Sequence, residues 1–471
     1  MLLKGEIRMV TAPSKGLEQL GIEELSDLFD KKQLSPVELT EYLLKYIDER
    51  NQPINAFVAM TPELAMEQAK EAEKRMCGGE RKSFFDGIPF TVKDIIFIKD
   101  APTTAGCDLY RNFRPAKNAF VVDRLFDAGG IMLGKTNTDQ FALFPTGDRS
   151  CFGPTRNPRN LNKMSGGSSS GSGAAVAARF VPAAIGTDTA GSVRIPAAMC
   201  GIVGMRVTHG LVSLNGCFEV SNHLDTVGPI TRSVKDNALM LNVMSGYDPR
   251  DPFSRKGPVT DFTSLIDKPL AGMTVGIPYS YFESKVDVRV VDMVPNAVKL
   301  LEQAGMSVRE VRLPGDLKKY LAASNSLIHY DSYKARKVDI DNHPGLFHPE
   351  VLEFMETGCS WEEYENALKL QKEFIALIAE HQKEVDLMVL PTLGTVAPDI
   401  NSRRIILNGK EYNTLIPIMS CCWLASLAKL PAISIPCGVL DELPVGLQLI
   451  GRPCSEDLLY QVAHYLESAL E

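Results

Sequence analysis

The sequence predicts an α/β protein built on one large mixed β-sheet. Three observations carry this reading. Short apolar runs with strand character alternate with helical stretches from about residue 56 to the end. The 471 residues are 45% hydrophobic, enough to bury a sizeable core. No internal repeat, low-complexity tract or Pro/Gly-rich linker divides the chain, so residues 1–471 are expected to form a single domain.

In chain order, residues 17 to 48 form two helices. The second opens with a capping box: Ser35 is the cap, Pro36 follows at the first helical position, and Glu38 lies three residues after the cap. Leu39, Leu43 and Ile47 then recur at helical spacing and give it one buried stripe. A strand at Ala56–Met60 and a charged helix at Pro62–Arg75 come next. Gly87 to Val92 is a buried strand that delivers Lys93 at its end. Asn118–Ala128 is a helix closed by Gly129 and Gly130, Ile131–Leu133 a strand, and Thr138–Leu143 the start of another helix.

From Phe144 to Ser172 the chain is polar and rich in Gly, Pro and Asn, which reads as an ordered loop; loops this long in compact domains are usually functional. A small-residue helix at Gly173–Arg179 and a buried strand at Ala183–Gly186 follow. Ser233 and Asp236 cap a helix reaching about Ser245. Met273–Ile277 is a strand, Val286–Gln303 one long amphipathic helix, and Val308–Leu313 a strand. The stretch from Gly315 to about Gly409 is more helical and irregular, with Trp361–Glu380 its clearest helix. The chain closes with strand Asp386–Leu390, a helix near Ile416–Ala428, strands Ala432–Pro436 and Gly446–Gly451, and helix Glu456–Glu467.

Charge and composition exclude several classes of function. A net charge of −8 without any basic run argues against nucleic acid or an anionic membrane as partner. The first ten residues meet charge too soon to hold a signal peptide's apolar region, and no run approaches the ~18 apolar residues of a membrane span. The ten cysteines, Cys77 to Cys454, include no C-x-x-C pair. Reduced thiols in a cytoplasmic protein are expected, with no disulfide, metal site or cofactor. The seven histidines show no ligand spacing, so structural roles are expected for them.

Three motif readings compete. Gly129 to Thr136 matches a P-loop literally, but its centre is Ile131-Met132-Leu133, which belongs inside a strand rather than a phosphate-cradling loop. Gly167-Ser168-Ser169-Ser170-Gly171 matches the nucleophile elbow of α/β-hydrolases. That elbow needs a hydrophobic strand before it and a late catalytic histidine. Asn160 to Ser165 is not such a strand, and His464, the last candidate, lies in an amphipathic helix. The third reading joins the serines to Lys93. Acyl transfer needs a nucleophile, a base and backbone donors aimed at the developing oxyanion. Ser192 sits where a strand end turns through small residues, Lys93 can serve as base if burial lowers its pKa, and a serine between them would relay the proton.

The stretch Gly166-Gly167-Ser168-Ser169-Ser170-Gly171-Ser172-Gly173, followed by Gly186-Thr187-Asp188-Thr189-Ala190-Gly191-Ser192-Val193-Arg194, resembles the amidase signature family. The likeness extends to Gly87–Asp94, Gly134–Asn137, Leu224–Arg232 and Leu430–Gly438, and runs in order from about residue 16 to the end. It implies that family's fold, a large twisted mixed sheet covered on both faces by helices. A helical segment at about 16–75 would precede a catalytic core at about 84–245. A variable pocket region at about 315–425 and closing strands and helix at 430–471 would follow.

The resemblance also implies a Ser-Ser-Lys triad, carried here by Lys93, Ser168 and Ser192. A cis peptide is implied at Ser168, and an oxyanion hole from the backbone N–H groups of Thr189, Ala190, Gly191 and Ser192. Asp188 and Arg194 are expected to brace the nucleophile turn, and Ser169, Ser170 and Ser172 to satisfy loop backbone groups.

The implied activity is that of a serine amidohydrolase acting on a small-molecule amide, including anilides, or an ester or carbamate, through an acyl-enzyme on Ser192. Three alternatives stand beside it: an allophanate- or carboxybiuret-type hydrolase, the A subunit of a glutamine-dependent transamidase, and a non-catalytic partner protein on the same fold. A monomer or homodimer is expected. Ala190 stands where many members have glycine, and Met205-Arg206 where a lysine-proline pair is usual. The transamidase's arginine pair has no counterpart in Phe347–Gly358, and Leu352, Phe354 and Met355 there suit either a less polar substrate group or a core-facing helix.

Overall fold

The computed structural model describes residues 15–99, 101–257, 260–313 and 316–470. The N-terminal decapeptide considered above lies outside them. At the centre is an eleven-stranded sheet. Its strands are β1 (Phe57–Met60), β2 (Pro89–Lys93), β3 (Ile131–Thr136), β4 (Ala183–Thr187), β5 (Val203–Arg206), β6 (Val227–Thr231), β7 (Thr274–Ile277), β8 (Ser307–Glu310), β9 (Leu387–Pro391), β10 (Ala432–Leu440) and β11 (Leu443–Gly451). Their order across the sheet is β1-β3-β2-β4-β6-β5-β10-β11-β9-β7-β8.

The sheet is mixed, as the sequence predicts. β3, β2 and β4 run parallel. From β4 through β6, β5, β10 and β11 to β9 each neighbour is antiparallel, and β9, β7 and β8 are parallel again. Every residue of β2, β3 and β4 is buried, the pattern of parallel strands covered on both faces.

Flanking helices include α1 (Ile22–Asp30), α2 (Pro36–Arg50), α3 (Pro62–Gly78), α4 (Phe120–Asp127), α5 (Ser170–Ala177), α6 (Arg194–Cys200), α7 (Val234–Met244), α8 (Val294–Gln303), α9 (Lys318–Asn342), α10 (Pro349–Thr357), α11 (Trp361–His381) and α12 (Glu456–Leu470). The capping box of α2 forms as its sequence dictates. Ser35 Oγ accepts from Val37 N at 3.0 Å, and Glu38 returns a carboxylate to Ser35 N at 3.2 Å.

Several expectations are corrected. The helix expected over Val286–Gln303 is a short turn at Val288–Val291 and then α8. Pro295 sits in the first turn of α8, where its missing N–H does no harm, but it could not continue a helix arriving from upstream. Thr138–Leu143 holds only a 3-10 turn, Gln140–Ala142, because Phe141 and Ala142 adopt positive φ (51° and 58°). The loop after Phe144 contains a small hairpin, Arg156–Asn157 with Asn160–Met164, and already becomes α5 at Ser170. The helix expected near 416–428 is two short ones, Leu415–Met419 and Trp423–Leu427.

Helix α6 and strand β5 carry no strong periodic pattern, yet they matter for the site. They pack so closely that a Cβ on Gly204 of β5 would lie 2.8 Å from Ala197 Cβ. Glycine in that strand reports close approach of α6, not a turn.

Candidate active site

Two neighbouring parallel strands set the site. The pairing of β2 with β4 aligns Val92 with Ile185, so their last residues, Lys93 and Thr187, emerge at the same carboxyl edge. Ligands of α/β sheets bind at such edges. Lys93 Nζ lies 2.7 Å from Ser168 Oγ and 2.8 Å from Thr187 Oγ1. Lys93 and Ser168 are fully buried. Burial pulls the Lys93 ammonium down to about 7, against the pull of the Asp139, Asp225 and Asp188 carboxylates.

Ser168 lies in the loop entering α5, and the Gly167–Ser168 peptide is cis. Asp139 backs this loop so closely that a Cβ on Gly167 would sit 2.2 Å from its Oδ2. Asp139 also accepts from Gly147 N at 2.8 Å and Arg149 N at 3.1 Å. Burial and the nearby Asp148 push its carboxyl up to about 7. The other loop serines act as expected. Ser170 Oγ donates to Asn137 O at 3.2 Å and Ser172 Oγ to Ile185 O at 3.0 Å, satisfying buried backbone carbonyls. Ser169 joins the two halves of the site: its N–H donates to Ser192 O, and its hydroxyl to Thr187 O, both at 3.2 Å.

The turn between β4 and α6 is organised by the buried Asp188. Its carboxylate accepts from Gly191 N at 2.8 Å, from Val193 N at 3.3 Å, and from Arg194 Nε and Nη2, both at 2.9 Å. Arg206 Nη1 adds a further bond at 3.2 Å. Burial alone would raise the Asp188 pKa; the Arg194 and Arg206 guanidiniums outweigh it and hold the carboxyl well below the usual range. Arg206, a departure from the family pattern in the sequence, is therefore the second cation of this hub. The left-handed position of the turn is Gly191, φ 130°, while Ala190 does not have a positive φ, so a side chain at 190 is accommodated without backbone strain.

Thr189, Ala190 and Ser192 line a cavity of about 340 Å³. Gly191 does not line it, and its N–H is bound to Asp188. Of the four N–H groups expected to face an oxyanion, that of Gly191 therefore already has an acceptor within the turn. Lys93 and Ser168 are not part of its lining.

The walls come from segments that sequence reasoning placed near the pocket, including Phe144, Ile328, Phe354, Met419 and Trp423, and from Val220 and Lys285, which it did not. Of the three apolar residues in α10 singled out by sequence, Phe354 faces the cavity while Met355 is buried in the core. His329 also lines the cavity. The missed signal is the spacing of Leu321, Asn325, Ile328 and His329, which falls on one face of a helix.

The competing motifs resolve against nucleotide binding and against an α/β-hydrolase elbow. Ile131–Thr136 is strand β3, with Lys135 buried inside it, 2.9 Å from Thr103 Oγ1 and 3.5 Å from Asp94. Ser168 follows the small hairpin, not a sheet strand. His464 faces Glu467 at 3.5 Å and Asp267 at 4.0 Å. Among the described residues, no helix is long and apolar enough to cross a membrane.

The eleven-stranded mixed sheet with its flanking helices is the fold of amidase signature enzymes. The chain belongs to the amidase family, whose model matches residues 38–460. The A subunit of glutamyl-tRNA(Gln) amidotransferase from Sulfurihydrogenibium sp. is 35% identical over 95% of this chain and 96% of its own. A solved structure described as a vestigial protein complex bearing on the origins of an s-triazine catabolic enzyme superposes with a TM-score of 0.91, at 28% identity, over 96% of this chain and 100% of that one. A bacterial aryl acylamidase superposes with a TM-score of 0.88, at 27% identity, over 96% of each chain.

Proposed function

We propose that this chain is a serine amidohydrolase that cleaves the C–N bond of small amides, anilides included, and can cleave esters or carbamates by the same acyl-enzyme chemistry. The observation that carries this is the buried Lys93, brought down to about 7 and 2.7 Å from Ser168, together with Ser192 in the lining of a cavity. In this reading Ser192 Oγ attacks the carbonyl carbon while its proton passes through Ser168 to neutral Lys93. The N–H groups of Thr189, Ala190 and Ser192 stabilise the oxyanion. The proton returns along the relay to the departing amine as the C–N bond breaks. Water, deprotonated by the same relay, then releases the acyl group. No step calls for a metal or cofactor, and the chain would act in the cytoplasm as a monomer or homodimer.

A second reading, the A subunit of a glutamine-dependent amidotransferase, is favoured by the 35% identity to a protein of that name. Against it, Phe347–Gly358 contains no arginine to hold a glutamine carboxylate, and the apolar Phe354 from this segment lines the cavity. The test is product release by the purified chain alone from aliphatic amides, anilides, urethanes, glutamine and allophanate. Hydrolysis of amides or anilides by the isolated chain supports the first reading. Activity that appears only with added partner proteins and glutamine supports the second.

A further inference from the structure

His329 stands out in a cavity wall that is otherwise mostly apolar. It sits on the face of α9 that also carries Ile328, with Asn325 one turn earlier at the exposed mouth. Its ring stacks on Phe354, centroids 3.8 Å apart and planes 19° from parallel, and Phe354 in turn meets Phe144 edge-on at 5.8 Å. Its Nδ1 lies 2.8 Å from Phe354 O. A carbonyl oxygen only accepts, so the hydrogen-bond network assigns the proton to Nδ1. Burial lowers the imidazole's pKa, which favours the neutral ring. Nε2 is then an acceptor. It has no protein partner among the described residues and is not among the fully buried unpartnered atoms, so it keeps some exposure, on a residue that lines the cavity.

A phenylalanine would fill this wall equally well and would stack on Phe354 without an imidazole's desolvation cost. The anchored tautomer gives the imidazole a different use. We propose that His329 Nε2 is a substrate-positioning acceptor, and that the cavity selects aryl or similarly apolar amides whose apolar part carries an O–H or N–H donor. This rests on the hydrolase reading above. The aromatic wall of Phe354 and Phe144 takes the ring, and the donor reaches His329. Substrates lacking the donor leave Nε2 desolvated and unpaired, which sets the discrimination.

The test measures kcat/KM for matched pairs: para-hydroxy- and para-methoxyacetanilide for the amine side, para-hydroxy- and para-methoxybenzamide for the acyl side. The wild-type chain is expected to favour the hydroxy member of at least one pair by about 3–10-fold, the worth of one neutral hydrogen bond. His329→Phe, which retains the stack and removes the acceptor, should bring that ratio close to one. His329→Gln, whose amide oxygen can reach the place of Nε2, should restore part of it, and thermal melts establish that each variant is folded. The ratio is the readout because a merely structural histidine would change both members together. A wild-type ratio near one, or a preference that survives in folded His329→Phe, overturns the acceptor role and leaves the hydrolase reading intact. Failure of the wild-type chain to hydrolyse any of the four overturns the hydrolase reading for this substrate class, and the acceptor role with it.

Discussion

Lys93 Nζ lies 2.7 Å from Ser168 Oγ, and neither residue reaches solvent. The contrast with Lys135 defines what is unusual here. Lys135 is equally buried but lies 3.5 Å from the Asp94 carboxylate, and it is lowered only to about 8. Among the described residues Lys93 has hydroxyl partners and no carboxylate within ion-pair distance. A lysine so placed is neutral above about pH 7 and protonated below it. A base works only in its neutral form, so kcat/KM for amide hydrolysis should rise about tenfold per pH unit up to about 7 and then level off. Lys93→Met should abolish turnover at neutral pH while thermal unfolding stays cooperative. A profile flat across neutrality would sink the assignment of Lys93 as base.

Ser192→Ala should lower kcat by on the order of 10⁴–10⁶-fold, the scale seen when a serine nucleophile is deleted elsewhere. A slowly deacylating ester gives a second, independent readout. Intact-protein mass should show one acyl adduct on the wild-type chain, mapped by peptide digestion to Ser192 and missing from the variant. An adduct mapped to Ser168 would exchange the roles of the two serines.

Gly191 adopts φ 130°, and a Cβ there would lie 2.7 Å from Ile195 Cδ1 and 2.8 Å from Cys422 Cβ. Gly191→Ala therefore meets both backbone strain and crowding, with an expected loss of about 1–3 kcal/mol of stability. Its N–H also holds the turn to Asp188, so the neighbouring donors should shift and kcat should fall by about 10²-fold or more. Denaturant unfolding and steady-state kinetics on the same preparation check both effects. Unchanged kcat would mean that the turn tolerates the shift and that its donors do not face the oxyanion.

Much of this is legible in the sequence, and the unread parts share one cause. Strands β2, β3 and β4 announce themselves as continuous apolar runs, and Lys93, Ser168 and Ser192 lie in motifs written in local order. The bond between Gly191 N and Asp188 is not visible in that order. Position in a turn suggests which N–H groups could serve an oxyanion, whereas hydrogen-bond partners follow from how the turn folds back on itself. Arg206 is a similar case. It reads as a deviation in a short strand and becomes meaningful only when β5 brings it to a carboxylate eighteen positions earlier. His329 shares a helix face with Leu321, Asn325 and Ile328 that the spacing makes legible, but the cavity which that face meets is built by other segments and has no signature in the helix itself.

Asp188 gathers two guanidiniums and two backbone N–H groups in a space without solvent, so it is the residue on which the Ser192 turn depends most. Replacing the carboxylate leaves Arg194 and Arg206 as buried like charges with no counter-ion. Breaking a buried pair in this way costs about 3–5 kcal/mol. Asp188→Asn has nearly the same shape, so the loss it produces reports on charge rather than on a cavity. The pH dependence gives the sign. The Asp188 carboxyl is held below its unfolded-state value of about 3.9, so its contribution is fully present well above that pH and is lost as the pH falls below it. The stability gap between the wild-type chain and Asp188→Asn, measured by urea unfolding, should be constant from neutrality down to about pH 5 and narrow at lower pH. A gap that stays the same into the acid range would mean that the carboxylate's charge is not what holds the turn.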